Sequence, residues 1–167
     1  SLVVMDEILE RVDRNKLQYD LYLTSTVQEE AGLLGAVSIN QTINAPYGIS
    51  IDTGLSGDIP GVDQRDVSSR LGGGPVIIHK DLYSYNYEQN NRIIAAAEEA
   101  NIPLQHAAYS LYGTDSGGLI RSGMAASALV VPSRYTHTPF ETLNLDDVEA
   151  TIQLLLAFLY RPVDKAI

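Results

Sequence analysis

The sequence contains no cysteine among its 167 residues, which excludes disulfide bonds, cysteine nucleophiles and thiolate metal sites. Any metal site must therefore be built from His, Asp and Glu side chains. Basic residues are also scarce, since 11 Lys and Arg stand against 21 Asp and Glu and give a formal net charge of −10. Nucleic acids and anionic membrane surfaces attract clustered Lys and Arg, so we expect neither as a partner.

Long apolar runs are missing as well. The most apolar stretch, Ile152 to Leu159, is far too short to span a bilayer, and the first residues lack the pattern of a signal peptide. With 45% hydrophobic and 19% charged residues, the chain has enough apolar material for one packed core. We therefore expect a soluble, cytoplasmic domain. Because Ser1 stands where a methionine is usual, we also expect this domain to be part of a longer one.

Hydrophobic periodicity predicts that helices and strands alternate along the chain. The predicted helices cover 2–14, 32–40 and 90–101, with a last one after Asn144, and the predicted strands cover 20–27, 47–51, 75–78, 104–111 and 125–131. Glycine-rich stretches predict loops at 53–75 and 113–118. This alternation predicts a three-layer α/β/α sandwich around a mixed, largely parallel sheet.

The last helix is the clearest of these predictions. Asn144 can cap its first turn, where Asp146 and Asp147 are favoured by the helix dipole. Apolar residues recur after them at helical spacing and predict one buried stripe.

Carboxylates and one histidine follow three of the predicted strands. Glu29 and Glu30 follow the first, Asp52 follows the second, and His137 lies after the last, between two prolines. Ligands bind beyond the carboxyl ends of strands in such sheets, so these segments are candidate metal ligands. Neighbouring side chains of extended backbone point to opposite faces, so one glutamate can bind a metal while the other acts as a general base. Taken singly, each residue also fits a structural role, such as a solvated turn or a cap.

Two other motifs suggest chemistry that their surroundings do not support. Thr114–Gly118 is similar to the nucleophile segment of chymotrypsin-like proteases, but the predicted helices contradict the all-β fold which that mechanism needs. We expect a glycine loop there and no nucleophile at Ser116. Gly72–Gly74 lacks the Gly-Lys-Ser/Thr of a phosphate-binding loop and predicts a flexible turn. His79 and His106 are interpreted as structural or exposed histidines.

Five segments occur together in the order and spacing of one family: Val27–Ala36, Ile51–Gly61, Leu71–Pro75, Gly113–Gly117 and Val131–Pro139. The chain therefore resembles the tetrahedral (deblocking and glutamyl) aminopeptidases, some of which are also described as endoglucanases. The resemblance covers nearly the whole chain. It implies a zinc-exopeptidase-like fold and a homo-oligomer, in which dimers build a dodecamer.

The resemblance also implies an activity, the metal-dependent release of N-terminal residues from peptides. Glu29 matches the family's general base, which activates a metal-bridging water, and Glu30, Asp52 and His137 match metal ligands. Two divalent ions, zinc or cobalt, are implied. The substrate-binding residues are left unassigned.

Two further ligands of that family, a histidine and a bridging aspartate, have no counterpart here, and neither does a small inserted domain that pairs its subunits. We therefore expect residues 1–167 to be the carboxyl portion of the catalytic domain. One alternative is a non-catalytic remnant that keeps the fold as a structural or assembly piece. A glycosidase acting through paired carboxylates is a more distant alternative, because it leaves Asp52 and His137 without a role.

Overall fold

The computed structural model describes residues 1–163, in which helices and strands alternate. The helices are α1 (Leu2–Arg11), α2 (Leu34–Ser38), α3 (Tyr87–Glu99), α4 (Asp115–Arg121) and α5 (Leu145–Tyr160), with a short 3-10 turn at Ile39–Gln41. The strands are β1 (Tyr47–Leu55), β2 (Val76–Lys80), β3 (Gln105–Ala108), β4 (Ala125–Arg134) and β5 (Thr142–Leu143). No helix in this described part of the chain is long and apolar enough to cross a membrane.

The strands form one mixed sheet in the order β1-β4-β2-β3, and the short β5 pairs with the end of β4. β1 is parallel to β4 and β2 is parallel to β3, whereas β2 runs antiparallel to β4. β4 is central, and every residue from Ala126 to Ser133 is buried. Strands that are buried on both faces are expected to be continuously apolar or small, as this one is. The predicted mixed sheet is confirmed.

Helices cover both faces of the sheet. On one face α1, α3 and α5 enclose the larger part of the core, to which Ile8, Ile93 and Leu154 contribute. On the other face α2 packs against α4, and Ala36 and Leu119 are buried between them and the sheet. The predicted three-layer sandwich is confirmed, and burying both faces of the sheet is the physical reason for it.

Segment 20–27, predicted as a strand, is not a strand in the structure and pairs with none in residues 1–163. Its Leu21 and Leu23 pack against the core beside α5. A strand requires a neighbour that accepts and donates backbone hydrogen bonds, so strand-forming residues alone do not produce one.

The predicted loop at 113–118 is wrong, because most of it forms the start of α4. Thr114 caps this helix, with its Oγ1 accepting a hydrogen bond from the N–H of Ser116 at 3.2 Å. Gly118 allows α4 to approach α2 closely, since a Cβ at this position would lie 2.6 Å from the Cβ of Ala36. The motif therefore serves helix packing.

The glycine turn Gly72–Gly74 is tied to the first turn of α5 and is not the flexible turn predicted. The N–H groups of Gly72 and Gly74 each donate a hydrogen bond of 2.7 Å to the buried carboxylate of Asp147. Both glycines have positive φ, 75° and 85°. A Cβ at Gly74 would lie 2.3 Å from the carbonyl oxygen of Pro103, so only glycine fits there.

Asp58 and Arg134 connect the loop after β1 to the end of β4. The guanidinium donates two hydrogen bonds to the carboxylate, Nη2 to Oδ2 at 2.5 Å and Nε to Oδ1 at 3.1 Å. This bidentate contact lowers the pKa of Asp58 to about 2. The pair therefore stabilises the folded state above about pH 4, the range in which the unfolded carboxyl is also ionised, and this contribution is lost as the pH falls toward 2.

We expect Asp58→Asn to lower the free energy of unfolding at pH 7 by about 1–2 kcal/mol, a value reduced from the full pKa difference because the pair is partly solvent-exposed. The difference between variant and wild type should shrink as the pH falls from 4 to 2. Urea unfolding at several pH values measures both quantities. A difference that stays constant over this range would contradict the assignment.

Candidate active site

Glu29 and Glu30 lie in a tight turn between segment 20–27 and α2. The carbonyl oxygen of Glu29 accepts hydrogen bonds from the N–H groups of Gly32 and Leu33, at 3.1 and 2.9 Å. Gln28 before the turn has a positive φ of 57°. The backbone is therefore not extended at the glutamates, and the expected separation of their side chains by strand alternation is wrong.

The carboxylates of Glu29 and Glu30 differ instead in how deeply they are buried. Glu29 is partly buried, and its pKa is raised to about 7 by burial, then by the nearby carboxylates of Asp52 and Glu30. Glu30 is largely exposed, at 78% of its side chain, and one of its carboxylate oxygens lies 3.2 Å from Nε2 of His137. The adjacent residues therefore have different environments and suit different tasks.

The sequence predicted Asp52 at the end of its strand, but in the structure Asp52 lies inside β1. β1 continues to Leu55 because β4 pairs with it as far as Ser133, and Asp52 lies opposite Val130. The carboxylate accepts a hydrogen bond from the N–H of Thr53 at 2.7 Å. Burial is nevertheless the larger effect and raises the pKa of Asp52.

His137 occupies the turn between β4 and β5 and has a left-handed backbone, with φ of 60°. Its N–H donates a hydrogen bond to Oε1 of Glu141 at 2.9 Å. The other Glu141 oxygen accepts a hydrogen bond from the hydroxyl of Ser133 at 3.4 Å. Glu141 therefore links the turn that carries the exposed imidazole to the end of β4.

The four predicted site residues line one cleft of about 460 Å³, although they come from three separate segments of the chain. Of these, Glu30 and His137 are already in contact. A slightly larger cavity of about 480 Å³ lies between segment 19–23, β1 and α5, and it contains none of the predicted residues. The cleft is accordingly the candidate active site.

The chemistry of the cleft suits a divalent cation in part. A carboxylate oxygen and an imidazole nitrogen, two atom types that bind divalent metals, lie 3.2 Å apart, and the Asp52 carboxylate lines the same cleft. Within residues 1–163, however, no group of three or more His, Asp or Glu side chains is close enough to hold an ion. The described residues thus bring candidate ligand atoms together but form no complete metal site.

Several residues of the cleft were not predicted from the sequence. Glu141 follows His137 by four residues, and that spacing was an available signal. Tyr112 lines the cleft, and burial together with the Asp52 carboxylate raises the pKa of its phenol. Asp115, which is not among the residues that line the cleft, accepts a hydrogen bond from the hydroxyl of Thr26 just before the glutamate turn. The Tyr112–Asp52 and Thr26–Asp115 interactions join segments that are distant in the sequence.

Ser116 is fully buried in α4. Its hydroxyl donates to the carbonyl oxygen of Ser127 and lies 2.7 Å from the hydroxyl of Ser50. No substrate reaches such a group, which agrees with the prediction that Ser116 is not a nucleophile.

Comparison with known proteins identifies the family. The model described as M42 glutamyl aminopeptidase matches residues 1–154. The chain belongs to this family. M42 proteins are metallopeptidases that use divalent metal ions, in agreement with the His and carboxylate residues of the cleft. Among curated relatives, the chain is 32% identical over 162 residues to the putative aminopeptidase FrvX of Escherichia coli K12.

Solved structures show the same fold. A TET aminopeptidase from the archaeon Thaumarchaeota archaeon SCGC AB-539-E09 matches 97% of this chain with a TM-score of 0.89 and 28% identity. The TET1 peptidase of Pyrococcus horikoshii, which assembles into a tetrahedron or a large octahedral shell, matches 95% with a TM-score of 0.80 and 28% identity. A Thermotoga maritima protein described as an endoglucanase matches 94% with a TM-score of 0.69 and 26% identity.

The chain spans less than half the length of each of these relatives. The match to FrvX includes 93% of this chain but 44% of FrvX, and the matches to the three structures include 46%, 46% and 45% of those proteins. The comparisons therefore concern roughly half of each relative.

Proposed function

We propose that this chain is the carboxyl portion of the catalytic domain of a metal-dependent aminopeptidase that removes N-terminal residues from peptides. The observation that carries the proposal is the single cleft that collects Glu29, Glu30, Asp52 and His137. These oxygen and nitrogen ligands suit zinc or cobalt. Membership of the M42 family supports the same reaction class.

Each residue has a role in this proposal. Glu30 and His137, already 3.2 Å apart, are the first ligands of a divalent ion, and Asp52 is a further ligand. When bound, two such ions would polarise the scissile carbonyl and lower the pKa of a water molecule. Glu29 stays free of the ligand pair and, as a general base, takes up a proton from the attacking water on its carboxylate and passes it to the leaving amine.

We further propose that the complete protein acts in the cytoplasm as a homo-oligomer, with dimers building a dodecamer. The shells of the P. horikoshii TET1 peptidase support the assembly. The lack of cysteine is consistent with a reducing compartment. Gel filtration with light scattering on the complete gene product tests the assembly, and a monomer at micromolar concentration would contradict it.

Metal removal tests the activity directly. We expect the complete gene product to hydrolyse aminoacyl p-nitroanilides, to lose at least about 100-fold of that activity on dialysis against EDTA, and to regain it with Zn²⁺ or Co²⁺, because the ions activate the attacking water. Mg²⁺, which prefers six oxygen ligands, serves as the control and should restore little. Turnover that is unaffected by chelation would overturn the proposal.

The alternative of a non-catalytic remnant is favoured by one observation, the lack of a three-ligand group within residues 1–163. Metal analysis of the purified 167-residue chain separates the two proposals. About two tightly bound zinc or cobalt ions per chain, together with peptidase activity, would refute the remnant. The glycosidase alternative requires cellulose hydrolysis that survives chelation.

A further inference from the structure

Apolar side chains line part of the candidate cleft, in addition to its carboxylates. Four of the lining residues form what we call the apolar group: Leu33, Leu82, Tyr83 and Leu111. Leu82 and Leu111 are 63% and 87% exposed. A single exposed leucine is common on a protein surface, but two of them in one concave site, beside two further apolar side chains, indicate a surface that binds an apolar ligand group.

The loops that carry Leu82 and Leu111 are neighbours. The N–H of Leu82 donates a hydrogen bond to the carbonyl oxygen of Tyr112 at 3.2 Å. Cδ1 of Leu82 lies 3.9 Å from the position that a Cβ at Gly113 would occupy. Leu82 and Leu111 therefore belong to adjoining segments in the same part of the cleft.

Tyr83 and Leu33 meet at Gly117 of α4. A Cβ at Gly117 would lie 2.4 Å from Cε2 of Tyr83 and 3.2 Å from Cδ1 of Leu33, so both side chains lie close to this backbone. The N–H of Leu33 donates to the carbonyl oxygen of Glu29 at 2.9 Å. The apolar group therefore adjoins the turn that carries the proposed general base.

The buried carboxylate of Asp81 holds the loop that carries Leu82 and Tyr83. It accepts a hydrogen bond from the N–H of Tyr83 at 2.7 Å and another from the hydroxyl of Tyr85. The N–H of Asp81 donates in turn to the carbonyl oxygen of Tyr83 at 2.9 Å. The backbone that presents the apolar side chains is therefore ordered before a ligand binds, which lowers the entropy cost of binding.

We propose that the apolar group binds the side chain of the substrate's N-terminal residue, and that this residue is large and apolar, such as leucine or phenylalanine. The inference rests on the proposed aminopeptidase function. In that function the carbonyl of the N-terminal residue reacts beside Glu29, so the side chain of this residue lies near the apolar group. A large apolar side chain removes the exposed leucines from water, whereas the methyl group of alanine is too short to cover them.

The charges of the cleft favour an apolar over an acidic substrate side chain. Glu29, Glu30, Asp52 and Glu141 all line the cleft, so an acidic side chain would add a fifth carboxylate. Arg121, the last residue of α4, lines the cleft as well and is exposed. Binding of an acidic side chain by Arg121 is therefore the competing outcome of the test.

The test measures kcat/KM of the complete gene product for the p-nitroanilides of leucine, phenylalanine, alanine and glutamate. We expect the leucine and phenylalanine substrates to exceed the other two by at least about tenfold, the lower limit for burying one large apolar side chain. Leu82→Ser and Leu111→Ser should each lower the leucine-to-alanine ratio at least about threefold, because each removes part of the apolar surface.

Leu145→Ser is the matched control, since Leu145 is 76% exposed but does not line the cleft, and it should leave the ratio unchanged. A ratio that neither cleft variant alters, or a preference for glutamate, would overturn this inference alone if hydrolysis of the alanine substrate still depends on metal. Arg121→Gln then shows whether the arginine causes the glutamate preference. Failure to hydrolyse any of the four substrates would overturn the aminopeptidase function together with the inference.

Discussion

Replacing Glu29 by Gln in the complete gene product is expected to lower kcat for aminoacyl p-nitroanilides by about 10²–10⁴-fold, the usual contribution of a general acid–base group. The amide keeps the shape of the side chain but cannot accept the proton of the attacking water. Glu29 is partly buried and takes no part in the Glu30–His137 contact, which is the structural reason for expecting a loss of turnover with no loss of metal.

The control for this experiment is the adjacent residue. Glu30→Gln should lower the bound metal content, because it removes a proposed ligand, whereas Glu29→Gln should leave metal content unchanged. Steady-state kinetics and elemental analysis on the same preparations distinguish the two effects. Turnover close to that of the wild type in Glu29→Gln, with metal bound, would remove Glu29 from the mechanism.

Asp147→Ala is expected to lower the free energy of unfolding by about 3–5 kcal/mol, the largest stability effect among the variants considered. Its buried carboxylate accepts the N–H groups of Gly72 and Gly74, at 2.7 Å each. Each hydrogen bond to a charged group contributes about 1.5–3 kcal/mol, and its removal leaves a donor without its charged partner. The turn between β1 and β2 would then lose its connection to α5.

The neighbouring aspartate offers a matched control. Asp146 lies in the same turn of α5 but is exposed. The only interaction predicted for its side chain is with the helix dipole. Asp146→Ala should therefore cost less than about 1 kcal/mol. Urea unfolding of the 167-residue chain measures both variants, and equal effects would show that the glycine turn is not held by Asp147.

Local features were the ones that the sequence predicted well. Asn144 caps α5 as expected, with its Oδ1 accepting a hydrogen bond from the N–H of Asp146 at 2.9 Å. Thr114 carries an equally local capping signal, but the glycines after it favoured a loop. Asp147 was assigned to the helix dipole. Its contacts with Gly72 and Gly74, which precede it by 75 and 73 residues, were not predicted.

The contact between Glu30 and His137 spans 107 residues. Both residues were candidate ligands because each was expected to follow a strand of one sheet. Segment 20–27 is not a strand, so that rule does not explain how Glu30 reaches the cleft. The same rule placed Asp52 at the end of its strand, which was wrong because the end of β1 depends on the pairing of β4.

The sequence by itself determined the alternation of helices and strands and the kinds of ligand available, because these depend on residues a few positions apart and on composition. Only the tertiary structure decided that Glu29 is partly buried with a pKa raised to about 7, that the glycine turn binds Asp147, and that His79 meets His106. Burial and electrostatic fields arise from segments that are far apart along the chain, so neighbouring residues carry little information about them.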